Sequence, residues 1–361
     1  MRILYLTDSA PDYLADLLYV GLCRTLGSDQ VVDYPYKALY HDPLHRVHYA
    51  PQIPGRRYQE EEVAALLRDK QFDLAILSSP RRGAIAAWES LSLCGAMPPL
   101  VLLDGEDDAT IRQELFHRYQ CALYFKREYR LHRNEGLRGL VRRFSGSRAD
   151  VALAQRTYPL PLAVALDTLP TIPIVPRDVD VSYVARISHP KRRQAVEMLR
   201  QAHGVGFQGG VYAEAEDRQS KLLSGFSRVV MKLTGDPVVT VAQRGTKLSQ
   251  AEYYALLSRS KMALSIRGGG FDTLRYWEVV ASGALLLSEQ PDIEIPNNFV
   301  HGKQALFFRR DLSDLVDLVR TYASDARACA AMASEGHKHL LQCHTCERRA
   351  EQLLAVCKQT L

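Results

Sequence analysis

The chain has 361 residues, 47% of them hydrophobic, and a formal net charge of +5. That is length enough for two ordinary domains, each able to bury a core. No apolar run approaches the ~20 residues of a membrane-spanning helix, the opening MRILYLTDSAPDYLADLL turns acidic too early for a signal peptide, and seven scattered cysteines argue for reduced thiols in a cytosolic protein and against a disulfide framework.

In chain order, MRILYLT reads as a short apolar strand and PDYLADLLYVGLCRTLG as a helix ending at Gly27. QVVDYP is a second strand. EEEVAALLRD (helix), FDLAILSS (strand), GAIAAWESLSLCG (helix), PPLVLLDGEDD (strand, then an acidic loop) and CALYFKREY (strand) follow. Strands that are continuous apolar runs, alternating with helices, predict an α/β fold with a parallel sheet covered on both faces. The segment Lys126–Arg156 holds nine Lys/Arg against three Asp/Glu, so it alone carries +6 and the remainder of the chain about −1. A solvated helical face is the ordinary reading of such a run; contact with nucleic acid, anionic lipid or an acidic acceptor is the functional one.

Alternation breaks at TYPLPLAVALDTLPTIPIVPRDVD, where five prolines between Pro159 and Pro176 suit an extended linker. It then restarts. DVSYVARI (strand), KRRQAVEMLRQA (helix), PVVTVAQ (strand) and SQAEYYALLSRS (helix) lead into KMALSI (strand), TLRYWEVVASG (helix), GALLLSE and QALFFRR (strands) and DLSDLVDLVRTYA (helix). Two α/β units joined near Pro170–Asp180 are expected.

Within IRGGGFDTLRYWEVVASGALLLSE, the loop Arg267, Gly268, Gly269, Gly270 follows an apolar strand. Glycines at a strand end let main-chain N–H groups approach an anion, and the next helix start adds partial positive charge. Arg267 and Arg275 offer charge-assisted bonds to phosphate. Glu278 offers a carboxylate to vicinal hydroxyls such as those of a ribose. The plain alternative is a flexible turn and a Glu–Arg pair that serves structure. The spacing is neither that of a dinucleotide fingerprint nor that of a Walker motif.

The run Tyr253–Glu289 resembles the C-terminal domain of two-domain (GT-B) glycosyltransferases, most closely the CgeB-like, spore-maturation-type group and more faintly exostosin-type enzymes. VSYVARISHPKRR is similar to the first strand and loop of that domain, and HTCERRAEQLL to the family's closing helix. The likeness is specific across Asp178–Leu354 and covers only element order before that. It implies two Rossmann-like domains facing across a cleft: an acceptor domain over 1–172, a nucleotide-sugar donor domain over 173–343, and a helix over 344–361 that crosses back. In related retaining enzymes two glutamates eight positions apart contact the donor. Glu278 matches the second; the first falls on Gly270, with Asp272 the nearest acid. This departure leaves the donor sugar and the stereochemistry open. The donor side would then comprise Arg267 to Gly270, Asp272, Thr273, Arg275, Glu278 and Lys191.

Arg186, with His189, Lys191, Arg192 and Arg193, follows a strand end, where a cation would stabilise departing diphosphate; a solvated helix start is the alternative. The resemblance implies that this work is done without a required metal. Asp104, Glu106, Asp107 and Asp108 follow a strand of the first domain and are candidates for the base that an inverting mechanism needs, or for a helix N-cap with an acidic first turn. Asp8 is a lesser candidate. CHTC near the C-terminus lacks the second pair that zinc-ribbon spacing requires. The expected function is a cytoplasmic glycosyltransferase using a nucleotide-sugar donor and no cofactor, with the basic segment a candidate for contact with the inner membrane face. Its rivals are a DNA-base glycosyltransferase gripping nucleic acid through 126–156 and a non-catalytic nucleotide-sugar-binding protein.

Overall fold

The computed structural model describes residues 1–130, 153–169, 175–213 and 247–361. The expected strand PVVTVAQ and most of the basic segment lie outside them. The first sheet is built from β1 (Ile3–Leu6), β2 (Val31–Tyr34), β3 (Leu74–Leu77), β4 (Leu100–Asp104), β5 (Leu123–Lys126) and β6 (Thr157–Pro159). Its order is β2-β1-β3-β4-β5-β6 and every pairing is parallel. The helices α1 (Tyr13–Leu26), α2 (Glu60–Arg68), α3 (Arg82–Ser92) and α4 (Gln113–Arg118) connect these strands. Strands β1 and β3 are buried at every position, as a sheet covered on both faces requires. The ends of α1 follow from its sequence. Asp12 accepts from the N–H groups of Leu14 and Ala15, and Gly27 ends the helix with φ 100°.

The second sheet contains β7 (Val179–Arg186), β8 (Phe207–Tyr212), β9 (Ser260–Ser265), β10 (Leu285–Glu289) and β11 (Leu306–Phe308). Its order is β11-β10-β9-β7-β8, again parallel throughout. Around it pack α5 (Pro190–Gln201), α6 (Gln250–Arg259), α7 (Leu274–Ala281), α8 (Leu315–Ser324) and α9 (Ala326–Cys343). Two Rossmann-like sheets, each reversing its strand order, thus stand in one chain. Among the described residues no helix is long and apolar enough to cross a membrane.

The proline-rich connector is extended at its start, but it is not a solvated linker. Leu160, Leu162, Ala163 and Ala165 are buried, and Val164 pairs with the chain around Thr345. The last helix, α10 (Cys346–Thr360), returns to the first domain and packs on α1. Arg24 on α1 holds Glu347 at 2.8 Å. One apolar cluster therefore runs unbroken from Leu18 of α1 through Leu353 of α10 to Trp277 of α7. The close approach of α1 and α10 needs a glycine: a Cβ on Gly21 would lie 2.0 Å from the main-chain oxygen of Cys346. Because main chain cannot yield as a side chain can, Gly21→Ala is expected to cost about 1–3 kcal/mol by overpacking. Denaturant titration checks this, and an unaltered midpoint would mean that the helices separate at no cost.

Candidate functional site

The order of the second sheet reverses between β7 and β9, since the chain leaves β7 for β8 on one side and returns to β9 on the other. In open α/β sheets ligands sit outside the carboxyl ends of strands at such a reversal. Arg186 closes β7 and Ser265 closes β9, so the loop 266–273 and the start of α5 meet there. Arg192 rivets the two strand ends. Its guanidinium donates to the carbonyl of Arg186 at 2.8 Å, of Arg267 at 2.9 Å and of Ile266 at 3.0 Å. Burial lowers its pKa, and these carbonyls solvate the cation in place of water. Arg192, grouped by sequence with the diphosphate candidates, is a structural element.

The glycine loop is covered by the first domain. Gly268 N–H donates to Gly270 O at 2.9 Å, closing a tight turn within the loop. A Cβ on Gly269 would lie 2.5 Å from Asp107 Oδ2, and one on Gly270 would lie 2.4 Å from Glu128 Oε1. Side-chain-free positions are therefore demanded here by two acids of the other domain. Glu128 is 0% exposed. It accepts from Phe271 N–H at 3.0 Å and Asp272 N–H at 2.8 Å. Between the two acids lies Arg127, also buried, hydrogen-bonded to Asp107.

The reading of the basic segment as a solvated face is corrected at its start, since Lys126, Arg127 and Glu128 are all buried. Glu128 itself was missed. Its one signal in the sequence is a Lys-Arg-Glu run placed directly after the apolar residues of β5.

Asp272 is not placed to face a donor. It is 3% exposed. Oδ2 accepts from Leu162 N–H at 2.5 Å and Oδ1 from the Trp277 indole N–H at 2.8 Å. Burial raises its pKa to about 6 against the opposing field of Arg127. Both oxygens are committed to joining the connector to α7. Thr273 precedes α7 and lies 3.4 Å from the Ser265 hydroxyl.

Arg275 and Glu278 occupy the first turns of α7. The Arg275 guanidinium stands over the Tyr183 ring at 5.4 Å, and its Nε and the buried Tyr183 hydroxyl have no hydrogen-bond partner among the described residues. Tyr254 donates to Glu278 Oε1 at 3.2 Å. Burial raises the Glu278 pKa, opposed by Arg275. A small cavity beside Glu278 is lined by Tyr254 and Trp277 from the second domain and by Tyr49 and Val164 from the first half of the chain. Tyr13 stacks edge-on against Tyr49 with centroids 4.6 Å apart. Burial, then the charges of Glu278 and Asp107, raise its pKa. Sequence reasoning found neither tyrosine. At the other strand end, Lys191 pairs with Glu289 of β10. The second Glu289 oxygen is buried with no hydrogen-bond partner among the described residues.

Residues 192–355 match the family model described as glycosyl transferase-like. Solved structures similar over almost the whole chain include Anabaena Alr3699/HepE in complex with UDP, at 15% identity and TM-score 0.58, covering 99% of this chain and 100% of that one. An alpha-glucosyltransferase in complex with UDP and a 13-mer DNA aligns at 9% identity and TM-score 0.56, covering 98% of each chain. Sucrose-phosphate synthase from Thermosynechococcus elongatus aligns at 13% identity and TM-score 0.54, covering 99% of this chain and 98% of that one. This is the GT-B glycosyltransferase fold. No curated protein matches the chain in sequence.

Within the GT-B frame the four acids of the first-domain loop separate clearly. Asp104 is 0% exposed, 2.9 Å from the equally buried Lys126 and bonded by the Tyr124 hydroxyl. An acceptor cannot reach it, so the expectation that it is a candidate base is corrected. Glu106 pairs with Arg81 at 3.5 Å and Asp108 with Arg112 at 3.5 Å. Asp107, 64% exposed, is the acid that abuts the glycine loop. Asp8 accepts from Gly83 N–H at 2.9 Å and so caps α3.

The closing motif of the GT-B chain fastens its domains. Asn297 O can only accept, so His344 carries its proton on Nε2, 2.9 Å away, and Nδ1 accepts from Arg349 at 3.2 Å. Arg349 also donates to Leu162 O at 3.0 Å and stands over Trp277. Thr345 caps α10. Among the described residues no group of three His, Cys, Asp or Glu is placed to hold a metal.

Proposed function

We propose that this chain is a glycosyltransferase of the CgeB-like group, moving a hexosyl or pentosyl unit from a nucleotide-diphosphate sugar without a metal. Residues 1–172 would form the acceptor domain, 173–343 the donor domain, and 344–361 the return to the first. The observation that supports this reading is that the strand-order reversal brings the end of β7 at Arg186 beside the glycine loop with Arg267, directly ahead of the helix that carries Arg275 and Glu278. Cations there suit a diphosphate whose charge grows as it departs, and a carboxylate one helix turn away suits sugar or ribose hydroxyls. Of the four acids of the first-domain loop, Asp107 is the one best exposed to take a proton from an acceptor. The relatives in complex with UDP or UDP-glucose make uridine donors the first to try.

Glu278→Gln tests the reading. Losing a charged hydrogen bond of roughly 1.5–3 kcal/mol should weaken donor binding about ten- to a hundredfold, measured by titration calorimetry with UDP-sugars. Unaltered affinity with a lowered melting temperature would leave Glu278 a partner of Arg275 and Tyr254 only.

A DNA-directed reading draws on the net charge of 126–156 and on the fold relative in complex with DNA. It requires binding that falls steeply with salt, because each neutralised phosphate releases counterions. A flat salt dependence would remove it. The sequence also leaves the basic segment as a candidate for membrane contact at the cytoplasmic face, which flotation with anionic vesicles would test.

A further inference from the structure

We infer that Glu128 is a positioning residue for the donor: from the first domain it holds the main chain of the donor-domain loop Gly268–Asp272, so that this loop takes its working shape only when the two domains are closed on each other. The inference rests on the glycosyltransferase reading for its meaning, and on geometry for its substance.

Helix α7 begins without a cap of its own, since the Thr273 side chain makes no capping hydrogen bond. The two N–H groups just before it, of Phe271 and Asp272, are taken by Glu128, 143 and 144 positions earlier in the chain. Their partner is therefore a carboxylate of the other domain. A charge buried this deeply needs compensation. Arg127 supplies it, held in turn by Asp107 over Gly269. Opening the cleft would leave the Phe271 and Asp272 N–H groups without this partner, because Glu128, Arg127 and Asp107 would depart together with the first domain, and a side chain on Gly270 would evict the carboxylate, whose Oε1 lies 2.4 Å from the Cβ position.

The link to the donor runs through Phe271. Its N–H is the one bonded to Glu128 Oε2. Its ring carries the Arg267 guanidinium at 4.4 Å and that of Arg130, from the first domain, at 5.4 Å. Fixing the Phe271 main chain fixes the ring, and the ring aims Arg267. A loop shaped in advance spares the donor the ordering cost of binding.

The test uses the full chain and two variants that break the clamp differently. Glu128→Gln keeps the shape but replaces one acceptor oxygen by a donor. Gly270→Ala keeps the charge but fills its place. Hydrogen exchange without donor should show the Phe271 and Asp272 amides exchanging about ten- to a hundredfold faster in both variants, while the amides of β7 and β9 keep their wild-type rates. The donor KM should rise by a similar factor, with kcat changed less. Protected amides at 271 and 272 in Glu128→Gln would overturn the clamp. So would faster exchange with an unaltered donor KM and a lowered melting temperature alone, because Glu128 would then serve stability only. If the wild-type chain binds no nucleotide sugar, it is the glycosyltransferase reading that fails, and exchange at the two amides still decides the clamp.

Discussion

Lys126→Met should cost the protein roughly 3–5 kcal/mol of stability, the usual penalty for removing one partner of a buried ion pair. Lys126 and Asp104 are both 0% exposed and 2.9 Å apart. Methionine fills much of the lysine stem's volume, so the loss reports the charge and not a cavity. Tyr124 and Arg112, the latter at 3.3 Å, remain near Asp104, which keeps the cost within this range. Urea titration measures it as a lowered midpoint at constant slope. Asp104→Asn should likewise lose stability, because Lys126 is then the buried unpaired charge. Asp107→Asn removes a pair whose acid is 64% exposed and should change stability by about 1 kcal/mol or less. If Asp104→Asn were as stable as wild type yet devoid of transfer activity, Asp104 would be chemical after all and its burial misread.

His344→Gln should gain on the wild-type protein as the solution is acidified. Burial first, then the neighbouring Arg349 charge, push the His344 imidazole from 6.5 down to about 3. Its folded pKa lies below its unfolded one, so the unfolded chain takes the proton first. The stability it contributes is present above 6.5 and drains away toward 3. From pH 7 to pH 4 that drain amounts to about 3 kcal/mol, and glutamine, which can still donate to Asn297 and accept from Arg349, does not titrate.

Asp272 has the opposite sign. Burial raises its carboxyl from 3.8 to about 6, so its contribution is complete below 3.8 and lost as pH rises through 6. Asp272→Asn should therefore fall behind the wild type by about 2 kcal/mol over the same acidification. The two groups nearly cancel in the wild-type profile, and only the differences between variants and wild type expose them. Denaturant titrations at pH 7 and pH 4 give those differences; parallel shifts for all three proteins would show that neither group is perturbed.

The sequence alone determined whatever depends on neighbours along the chain. Strands β1 and β3 are legible because burial on both faces demands an unbroken apolar run. Helix α1 is legible at both ends because Asp12 and Gly27 act within a few residues of the main chain they cap. The reversal between β7 and β9 puts Arg186 and the glycine loop at one sheet edge, which local pattern and topology rules together anticipate. Tertiary structure alone decided which charges are spent inside the molecule. Asp104, Asp272, Glu128 and Arg192 read as polar residues of loops and strand ends, the places where chemistry is sought. Each is buried because a partner elsewhere in the chain compensates it: Lys126 for Asp104, Leu162 for Asp272, the Phe271 and Asp272 amides for Glu128, the Ile266 and Arg267 carbonyls for Arg192. The glycine triplet shows the same division. Its lack of side chains is plain in the sequence, but at Gly269 and Gly270 the reason is the two acids of the facing domain, and no local pattern records what another domain will press against a loop. Desolvation and pairing are properties of the space around a charge, and that space exists only once the domains have closed.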